Sequence, residues 1–321
     1  MEEHVDNNKI LHTNQFGYVK RSNTEVAVSH ILNPIYTHLD SRKAVSMTCI
    51  DLSKAYDCIN HKILIMKFKK LGLSKSFLNL LISYLKNRIQ ATKIGDKLSN
   101  FIKIIFGTPQ GGVLSGLFFN IYVNSIFKLP LSGDIFLYCD DMSIVNNSSN
   151  TSFLKDMIER DLRLISDWLD IHILVPNISK TKYVLFHNRI RFEDFTEHAL
   201  NIKFGNITIE CVEVTQVLGI KIDETLSFKW HIQSIQNKIT SFSYALKRIR
   251  HLLSDQTLLM LYYAHIQCHL NYMSFIWAPI NQNLMNSLEV TQRKFLRVIA
   301  GSTVKTSSIT SKSYQFQHFV M

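Results

Sequence analysis

Three aspartates occupy positions from which they could share a metal ion. Asp51 ends the β-branched run AVSMTCID, and Asp140 and Asp141 separate two apolar runs in DIFLYCDDMSIVNN. If the strands that these runs predict lie side by side, their carboxylates meet, and close like charges are unfavourable without a cation. Hard oxygen ligands of this kind select Mg²⁺ or Mn²⁺. A second interpretation, in which the acids belong to separate surface turns, stays open on these residues alone.

Two further motifs contain residue types that are suited to a nucleotide. Tyr56 follows Asp51 by five residues in DLSKAYD, where its ring could lie under a sugar and clash with a 2′-hydroxyl; packing in the core is the alternative. In TPQGGVLSG, Gln110 offers an amide, and Gly111 lets the backbone approach a flat or anionic group closely. A tight turn is the alternative there, and the loop is not a Walker motif because no Gly-Lys-Ser/Thr follows.

The elements that must position these residues are strands mixed with helices, followed by helices. Residues 44–51 predict a buried strand, and residues 134–147 predict a hairpin with Asp-Asp at its tip, although Asp-Asp is poor chemistry for a two-residue turn. Residues 152–169 have the apolar spacing of an amphipathic helix. From residue 228 onward the pattern is mostly helical. We therefore predict an α+β body with an appended helical subdomain, divided near 225–230.

The charge distribution favours an anionic partner. The formal net charge is +11, and ten Lys or Arg against two acids lie between residue 226 and the end. Such an excess most often serves nucleic acid, although a merely solvated basic surface is the alternative. The acidic start MEEHVDNNKI is not a signal peptide, and no apolar run is long enough to span a bilayer, so we expect a soluble intracellular protein. Apolar neighbours place three tryptophans in the predicted core: Trp168, Trp230 and Trp277.

Six motifs in a fixed order join these patterns into one series. They are NQFGYVKRSNT, CIDLSKAYDCINH, GTPQGGVLSGLFFNIYVN, YCDDMSI, ISKTKYVLF and VLGIKIDETLSFKWHI. The series resembles the reverse transcriptase of non-LTR retrotransposons, the Jockey-like and related LINE elements. The resemblance implies a right-hand polymerase, with a palm built on a ferredoxin-like βαββαβ core, partial fingers and a helical thumb. Residues 1–225 would form the reverse transcriptase domain, and residues 226–321 the basic thumb-like region.

The same resemblance implies which residues carry the reaction. Asp51, Asp140 and Asp141 match the metal-binding aspartates of the family, and the backbone carbonyl of Leu52 would be an auxiliary ligand. Lys180 matches a lysine that can donate a proton to pyrophosphate. The implied reaction joins deoxynucleotides to a primer 3′-hydroxyl with two Mg²⁺ or Mn²⁺ ions. Its partners would be an RNA template, a DNA primer and dNTPs, which makes the nucleus the expected compartment.

Substrate selection is implied for three other positions. Tyr56 matches the aromatic steric gate that selects deoxynucleotides over ribonucleotides. Gln110 and Gly111 match the loop that lines the nascent base pair. The strand VLGIKID resembles the one that supports the primer end.

The sequence departs from the family pattern in two places. Cys139 replaces the usual alanine before the aspartate pair, a small change, since a thiol packs much like a short apolar group. The second departure is that the resemblance implies most of the fingers and an endonuclease ahead of NQFGYVK, and we expect the present chain to lack them. A truncated, catalytically dead copy that only binds nucleic acid is therefore the main alternative. An RNA-dependent RNA polymerase is a third hypothesis, against which Tyr56 argues because a ribose-using enzyme needs room at that position.

Overall fold

The computed structural model describes residues 1–109, 111–186, 200–278 and 282–300. The chain forms two compact units, Met1–Glu213 and Val214–Met321. The division lies ahead of the predicted boundary near 225, because a strand pair within residues 214–223 belongs to the second unit.

Helices and strands alternate through the first unit. Its helices are α1 (Glu2–Asn7), α2 (Thr24–Asp40), α3 (His61–Lys69), α4 (Lys75–Leu85), α5 (Ser115–Val123) and α6 (Thr151–Ile171). Its longer strands are β1 (Ala44–Ile50), β7 (Asp134–Tyr138), β8 (Asp141–Ser148) and β10 (Lys182–Phe186). Its short strands are β2 (Leu52–Ser53), β3 (Ile89–Gln90), β4 (Lys93–Ile94), β5 (Lys97–Leu98), β6 (Ile102–Lys103), β9 (Val175–Pro176), β11 (Lys203–Phe204), β12 (Ile207–Thr208) and β13 (Glu210–Cys211).

The four longer strands form the ferredoxin-like core that the resemblance implied. They lie in the order β10-β1-β8-β7, and each neighbouring pair is antiparallel. Helices α3 to α5 connect β1 to β7, and α6 connects β8 to β10, which gives the βαββαβ succession. The short strand β13 extends the sheet in parallel beside β10. The α+β prediction and the palm core are confirmed.

Apolar side chains hold this sheet between helices. Strand β1 is buried along nearly its whole length, which fits its continuous apolar sequence better than an alternating one. Helix α6 covers the sheet with a buried stripe at helical spacing, as its periodicity predicted. That stripe consists of Leu154, Ile158, Leu162, Ile165 and Leu169.

A buried carboxylate fixes the turn that leads into β7. Asp161 of α6 is 1% exposed and accepts hydrogen bonds from the backbone N–H groups of Ser132 and Gly133, at 2.8 and 2.9 Å. The side-chain amide of Asn146 on β8 donates a third hydrogen bond to this carboxylate, at 2.7 Å. Because buried donors are costly when they lose their acceptor, this carboxylate ties helix, turn and strand together.

We expect the Asp161→Asn substitution to lower the free energy of unfolding by about 2 kcal/mol, because one acceptor oxygen becomes an amide that faces buried N–H donors. Urea denaturation followed by circular dichroism measures the change. The matched control is Asp170→Asn on the exposed side of the same helix, for which we expect a change below about 0.5 kcal/mol. Equal effects of the two substitutions would contradict the assigned role of the network.

The second unit consists of a strand hairpin and helices. The strands are β14 (Val214–Val217) and β15 (Ile220–Asp223), and the helices are α7 (Lys229–Ile249), α8 (Asp255–Tyr262), α9 (Cys268–Asn271), α10 (Ser274–Trp277) and α11 (Gln282–Ala300). Asp223 joins the hairpin to α7. It is 3% exposed and accepts hydrogen bonds from Thr225, Ser227 and the backbone N–H of Phe228. The acid that ends VLGIKID thus fixes the start of α7.

The three tryptophans do not share one environment. Trp168 and Trp277 are 6% and 1% exposed, so their core placement is confirmed. Trp230 is 47% exposed, so its core placement is wrong. It lies in the first turn of α7 beside the buried His231 and Ile232, and the helix turns it to the outer face.

Within the described ranges, no helix combines the length and apolar character needed to cross a membrane.

Candidate active site

The sheet brings the three aspartates to one end. In the pairing of β1 with β8, Ile50 lies opposite Met142, so Asp51 leaves β1 where Asp141 begins β8. Asp140 lies in the turn that joins β7 to β8. Adjacent antiparallel strands therefore bring together residues that are far apart in sequence, as the metal hypothesis required.

The turn itself differs from the predicted one. Tyr138 pairs with Asp141, so the two residues at the tip are Cys139 and Asp140, and Asp141 already belongs to β8. The prediction of Asp-Asp at the tip is wrong by one residue. The antiparallel register fixes the difference, because a strand that starts at Asp141 directs Met142 and Ile144 into the core. Cys139 has a φ of 58°, the left-handed conformation that a tight hairpin turn demands.

The electrostatics of the site show that the acids influence one another. Burial raises the pKa of the Asp141 carboxyl, and repulsion from Asp140 and then from Asp51 raises it further. The described residues contain no group of three or more His, Cys, Asp or Glu side chains that could hold a metal ion by themselves. Mg²⁺ usually takes only one or two protein carboxylates, together with waters and substrate phosphates. The donor set at this end of the sheet fits such a shared site.

Lys180 and Leu52 lie beside the acids. The Nζ atom of Lys180 is 3.7 Å from the Oδ2 atom of Asp51, and the lysine side chain is 68% exposed. The backbone N–H of Asn177 donates to the carbonyl of Asp51 at 2.7 Å, which places the Lys180 loop against the end of β1. Leu52 pairs with Pro176, which has no N–H to donate, so Leu52 receives no ladder hydrogen bond from this partner.

Tyr56 lies between helix α5 and the aspartate turn. Its ring stacks on Phe119 of α5, with ring centroids 4.7 Å apart. Its hydroxyl oxygen is buried and interacts with the Cys139 thiol. Burial raises the pKa of this hydroxyl, and the Cys139 thiol, Tyr18 and Asp140 raise it further. The ring is therefore half-buried and lies next to the aspartate turn. It packs against the core, as the alternative interpretation expected, and its position is also compatible with a steric gate.

The Cys139 thiol is partly buried beside Asp140 and Asp141. Burial raises its pKa to about 11, with the Tyr56 hydroxyl opposing and the two aspartates adding to the shift. The thiol is therefore neutral at physiological pH and adds no further negative charge to the site.

The glycine-rich loop is anchored to the Tyr56 turn. The backbone N–H of Thr108 donates to the carbonyl of Tyr56 at 3.2 Å, and the N–H of Gly107 donates to the carbonyl of Ile59 at 2.8 Å. Gly111 is exposed, has a φ of 74° and has no atom near its missing side chain. An open, left-handed glycine gives a ligand access to the backbone. Gln110 lies outside the residues that the structure describes.

Two residues of the NQFGYVK segment reach the site, although neither was assigned a role from the sequence. A Cβ atom on Gly17 would lie 2.4 Å from the Cys139 Sγ atom, so the segment passes directly against the aspartate turn. Tyr18 is 68% exposed, and its ring covers Gly116 of α5. The sequence shows the adjacent Gly17 and Tyr18, but the neighbouring residues do not indicate which distant elements this pair contacts.

A right-hand polymerase palm with three aspartates at one sheet end is the arrangement of a polynucleotide polymerase, and a family comparison specifies the class. The family "Reverse transcriptase (RNA-dependent DNA polymerase)" matches residues 1–230. The chain belongs to the reverse transcriptase family.

The similar curated proteins confirm the resemblance to non-LTR retrotransposons. One is the RNA-directed DNA polymerase from mobile element jockey of Drosophila funebris, 25% identical over 90% of this chain and 32% of the relative. Another is the probable RNA-directed DNA polymerase from transposon X-element of Drosophila melanogaster, 24% identical over 89% of this chain and 32% of the relative. The chain therefore spans about one third of the length of these relatives.

Solved structures share the fold. The telomerase of Candida albicans, in complex with a fragment of telomeric RNA, has a TM-score of 0.50 at 12% identity, over 99% of this chain and 51% of that one. The apo telomerase of Candida tropicalis has a TM-score of 0.50 at 14% identity, over 92% and 54% of the respective chains. At these identities the likeness shows the right-hand fold alone.

Proposed function

We propose that the chain is the catalytic part of an RNA-directed DNA polymerase, which adds dNTPs to the 3′-hydroxyl of a DNA primer on an RNA template. The single observation that supports this most is the meeting of Asp51, Asp140 and Asp141 at one end of the palm sheet. The electrostatic influence of Asp51 and Asp140 on Asp141 supports the same grouping. The proposal includes that the enzyme acts in the nucleus, where genomic DNA would provide the primer.

The residues present fit a divalent cation, because carboxylate and carbonyl oxygens are the ligands that Mg²⁺ prefers. Asp51, Asp140, Asp141 and the carbonyl of Leu52 would hold it. Bound there, two Mg²⁺ ions would lower the pKa of the primer hydroxyl and stabilise the charge on the departing pyrophosphate. The exposed side chain of Lys180 is close enough to Asp51 to reach a triphosphate held at the same acids, and its ammonium group can give a proton to the leaving pyrophosphate.

The nucleotide would lie between Tyr56 and the glycine-rich loop. The Tyr56 ring is fixed by Phe119, so it cannot yield to an additional hydroxyl without losing that stacking. The open backbone at Gly111 leaves room for a base or phosphate to approach. In this proposal the basic region of residues 226–321 acts as the thumb and binds the template-primer duplex.

Primer extension on an RNA template with dNTPs and Mg²⁺ tests the proposal. We expect template-dependent DNA products. No product, together with RNA binding that falls steeply as salt rises, would instead support the binding-only alternative, which the comparisons do not favour. Preferential use of ribonucleotides would support an RNA polymerase.

The Tyr56→Ala substitution is expected to reduce discrimination against ribonucleotides by about a hundredfold, because it removes the ring that excludes a 2′-hydroxyl. The measurement is the ratio of kcat/KM for dNTP and the matching rNTP in single-nucleotide extension. Tyr56→Phe is the matched control, since it keeps the stacked ring and removes only the hydroxyl, which interacts with the Cys139 thiol. If Tyr56→Ala selects dNTPs as strictly as Tyr56→Phe does, this residue is not the steric gate.

A further inference from the structure

The second unit contains a polar trough that the polymerase reaction does not use. Two adjoining cavities of about 770 and 490 Å³ lie between β15, α7 and the helical segments around His265 and His269. They share Lys221, Ser234, Lys238 and His269 as lining residues. No acidic side chain of the described residues lines either cavity. The trough is therefore a concave surface of one charge sign, which attracts anions.

One residue that lines the smaller cavity contains a buried hydrogen-bond donor without a partner among the described residues. His231 lines the smaller cavity and is only 7% exposed. Its Nδ1 atom accepts the backbone N–H of Lys221 at 3.4 Å, so the neutral ring carries its proton on Nε2. The Nε2 atom is buried and has no hydrogen-bond partner among the described residues. Because an unmet buried donor is costly, an acceptor in the trough would remove a defect of the free protein.

The surrounding charges agree with an anionic acceptor. Burial lowers the pKa of His231 to about 4, and Lys238, Lys221 and His269 lower it further. Burial is the main reason that the ring stays neutral, and the surrounding positive groups, which have no acidic counterpart in the cavity lining of the described residues, add to it. An anion would compensate this environment.

An exposed aromatic ring completes the trough. Trp230 lines the larger cavity and is 47% exposed, although an indole of this size is usually packed. An exposed indole next to a positive groove is the arrangement on which proteins stack the bases of single-stranded nucleic acid. Trp230 lines the larger cavity and His231 the smaller one, and Lys221 and Lys238 line both.

We propose that this trough binds one nucleotide unit of a single-stranded nucleic acid, with its phosphodiester on Lys221, Lys238 and the Nε2–H group of His231, and its base on Trp230. The site lies within the second unit. Its occupancy does not depend on the active-site aspartates, so it is tested without dNTPs or divalent ions.

Binding of a fluorescent hexauridylate to the full chain, measured by anisotropy, tests the phosphate half of the site. Lys238→Gln is expected to weaken binding about tenfold, because it removes a charge-assisted contact. It should also reduce the slope of log affinity against log salt by about one. The matched control is Lys247→Gln, which removes the same charge from an exposed position of α7 outside both cavities. Equal losses in the two variants would overturn the proposal in favour of a diffuse basic surface.

Variants of Trp230 distinguish binding of a nucleic-acid strand from binding of free phosphate. Trp230→Ala is expected to weaken hexauridylate binding about tenfold, while Trp230→Phe keeps most of the affinity because it still stacks. Binding of inorganic phosphate, measured by calorimetry, should be the same in Trp230→Ala and wild type but weaker in Lys238→Gln. If Trp230→Ala leaves hexauridylate binding unchanged, the site takes phosphate only and the proposal is wrong.

The contact of phosphate with the buried His231 can be tested by NMR spectroscopy without mutating the residue. In ¹⁵N-histidine-labelled protein, phosphate should shift the signal of a ring that is protonated on Nε2 and stays neutral at pH 5.5. His172, whose pKa burial also lowers to about 4, is distinguishable because its Nδ1 atom lies 2.8 Å from the carbonyl of Trp168 and donates to it. A His231 signal that does not respond to phosphate would contradict the proposed contact.

Discussion

Replacing Asp140 by Asn is expected to lower templated dNTP incorporation by about a thousandfold, because an amide of the same shape cannot supply the negative charge that a divalent ion requires. Asp140 lies at the tip of the β7–β8 turn, next to Asp141 and near Asp51. The measurement is single-turnover primer extension on an RNA template at saturating nucleotide. A parallel titration with Mg²⁺ should show that the variant needs a higher concentration of the ion.

Loss of folding does not account for such an effect. Asp140 raises the pKa of Asp141 in the folded chain, so the ionised form of Asp141 is disfavoured there and lowers stability at neutral pH. Neutralising Asp140 removes part of this cost, and the thermal midpoint of Asp140→Asn at pH 7 should equal or exceed that of wild type.

The matched control for Asp140→Asn lies at the other end of the same hairpin. Asp134 begins β7, is exposed and pairs opposite Val145. Asp134→Asn removes the same charge from the same strand pair and should leave incorporation within about twofold of wild type. If Asp140→Asn extends primers as fast as Asp134→Asn, the aspartate turn is not the catalytic centre.

The sequence predicted the parts of this site that depend on local patterns. A continuous apolar run indicates a buried strand, and the residue after it must then lie at a sheet end, so Asp51 and the aspartate pair could be placed before the sheet was known. The helical stripe of α6 was equally local. The spatial order of β10, β1, β8 and β7 came from the family resemblance, because strand order depends on contacts between distant residues.

Features that depend on partners far away in sequence were not predicted. The exact tip of the β7–β8 turn is set by the register against β1, and a shift of one residue moved Asp141 from the turn into the strand. The exposure of Trp230 depends on which face of α7 packs, and the apolar spacing of one helix turn is too short to decide that. Tyr18 and Gly17 contact elements that begin roughly a hundred residues later.

The contact of Gly17 with the aspartate turn has a measurable consequence. The NQFG segment lies beside β7, since the N–H of Phe16 donates to the carbonyl of Leu137 at 2.9 Å and the N–H of Leu137 donates to the carbonyl of Asn14 at 2.9 Å. The side-chain amide of Asn120 donates to the carbonyl of Gly17 at 2.6 Å. The segment is therefore fixed on two sides and cannot retreat from the turn without breaking these hydrogen bonds.

Gly17→Ala is accordingly expected to lower primer extension by about a hundredfold, because an added Cβ would lie 2.6 Å from the backbone nitrogen of Cys139 and must displace the residue next to Asp140. The control is Gly72→Ala, which meets no atom within 4 Å but has a φ of 70°. It should lower stability by about 1 kcal/mol and leave activity unchanged.

The double variant Gly17→Ala/Cys139→Ala separates the two contacts at this position. Removing the Cys139 Sγ atom relieves the contact at 2.4 Å, but the contact with the Cys139 backbone nitrogen remains. Since a backbone atom moves only with its strand, we expect no recovery of activity in the double variant. Full recovery would mean that only the thiol was displaced, and that the NQFG segment does not hold the catalytic turn in position.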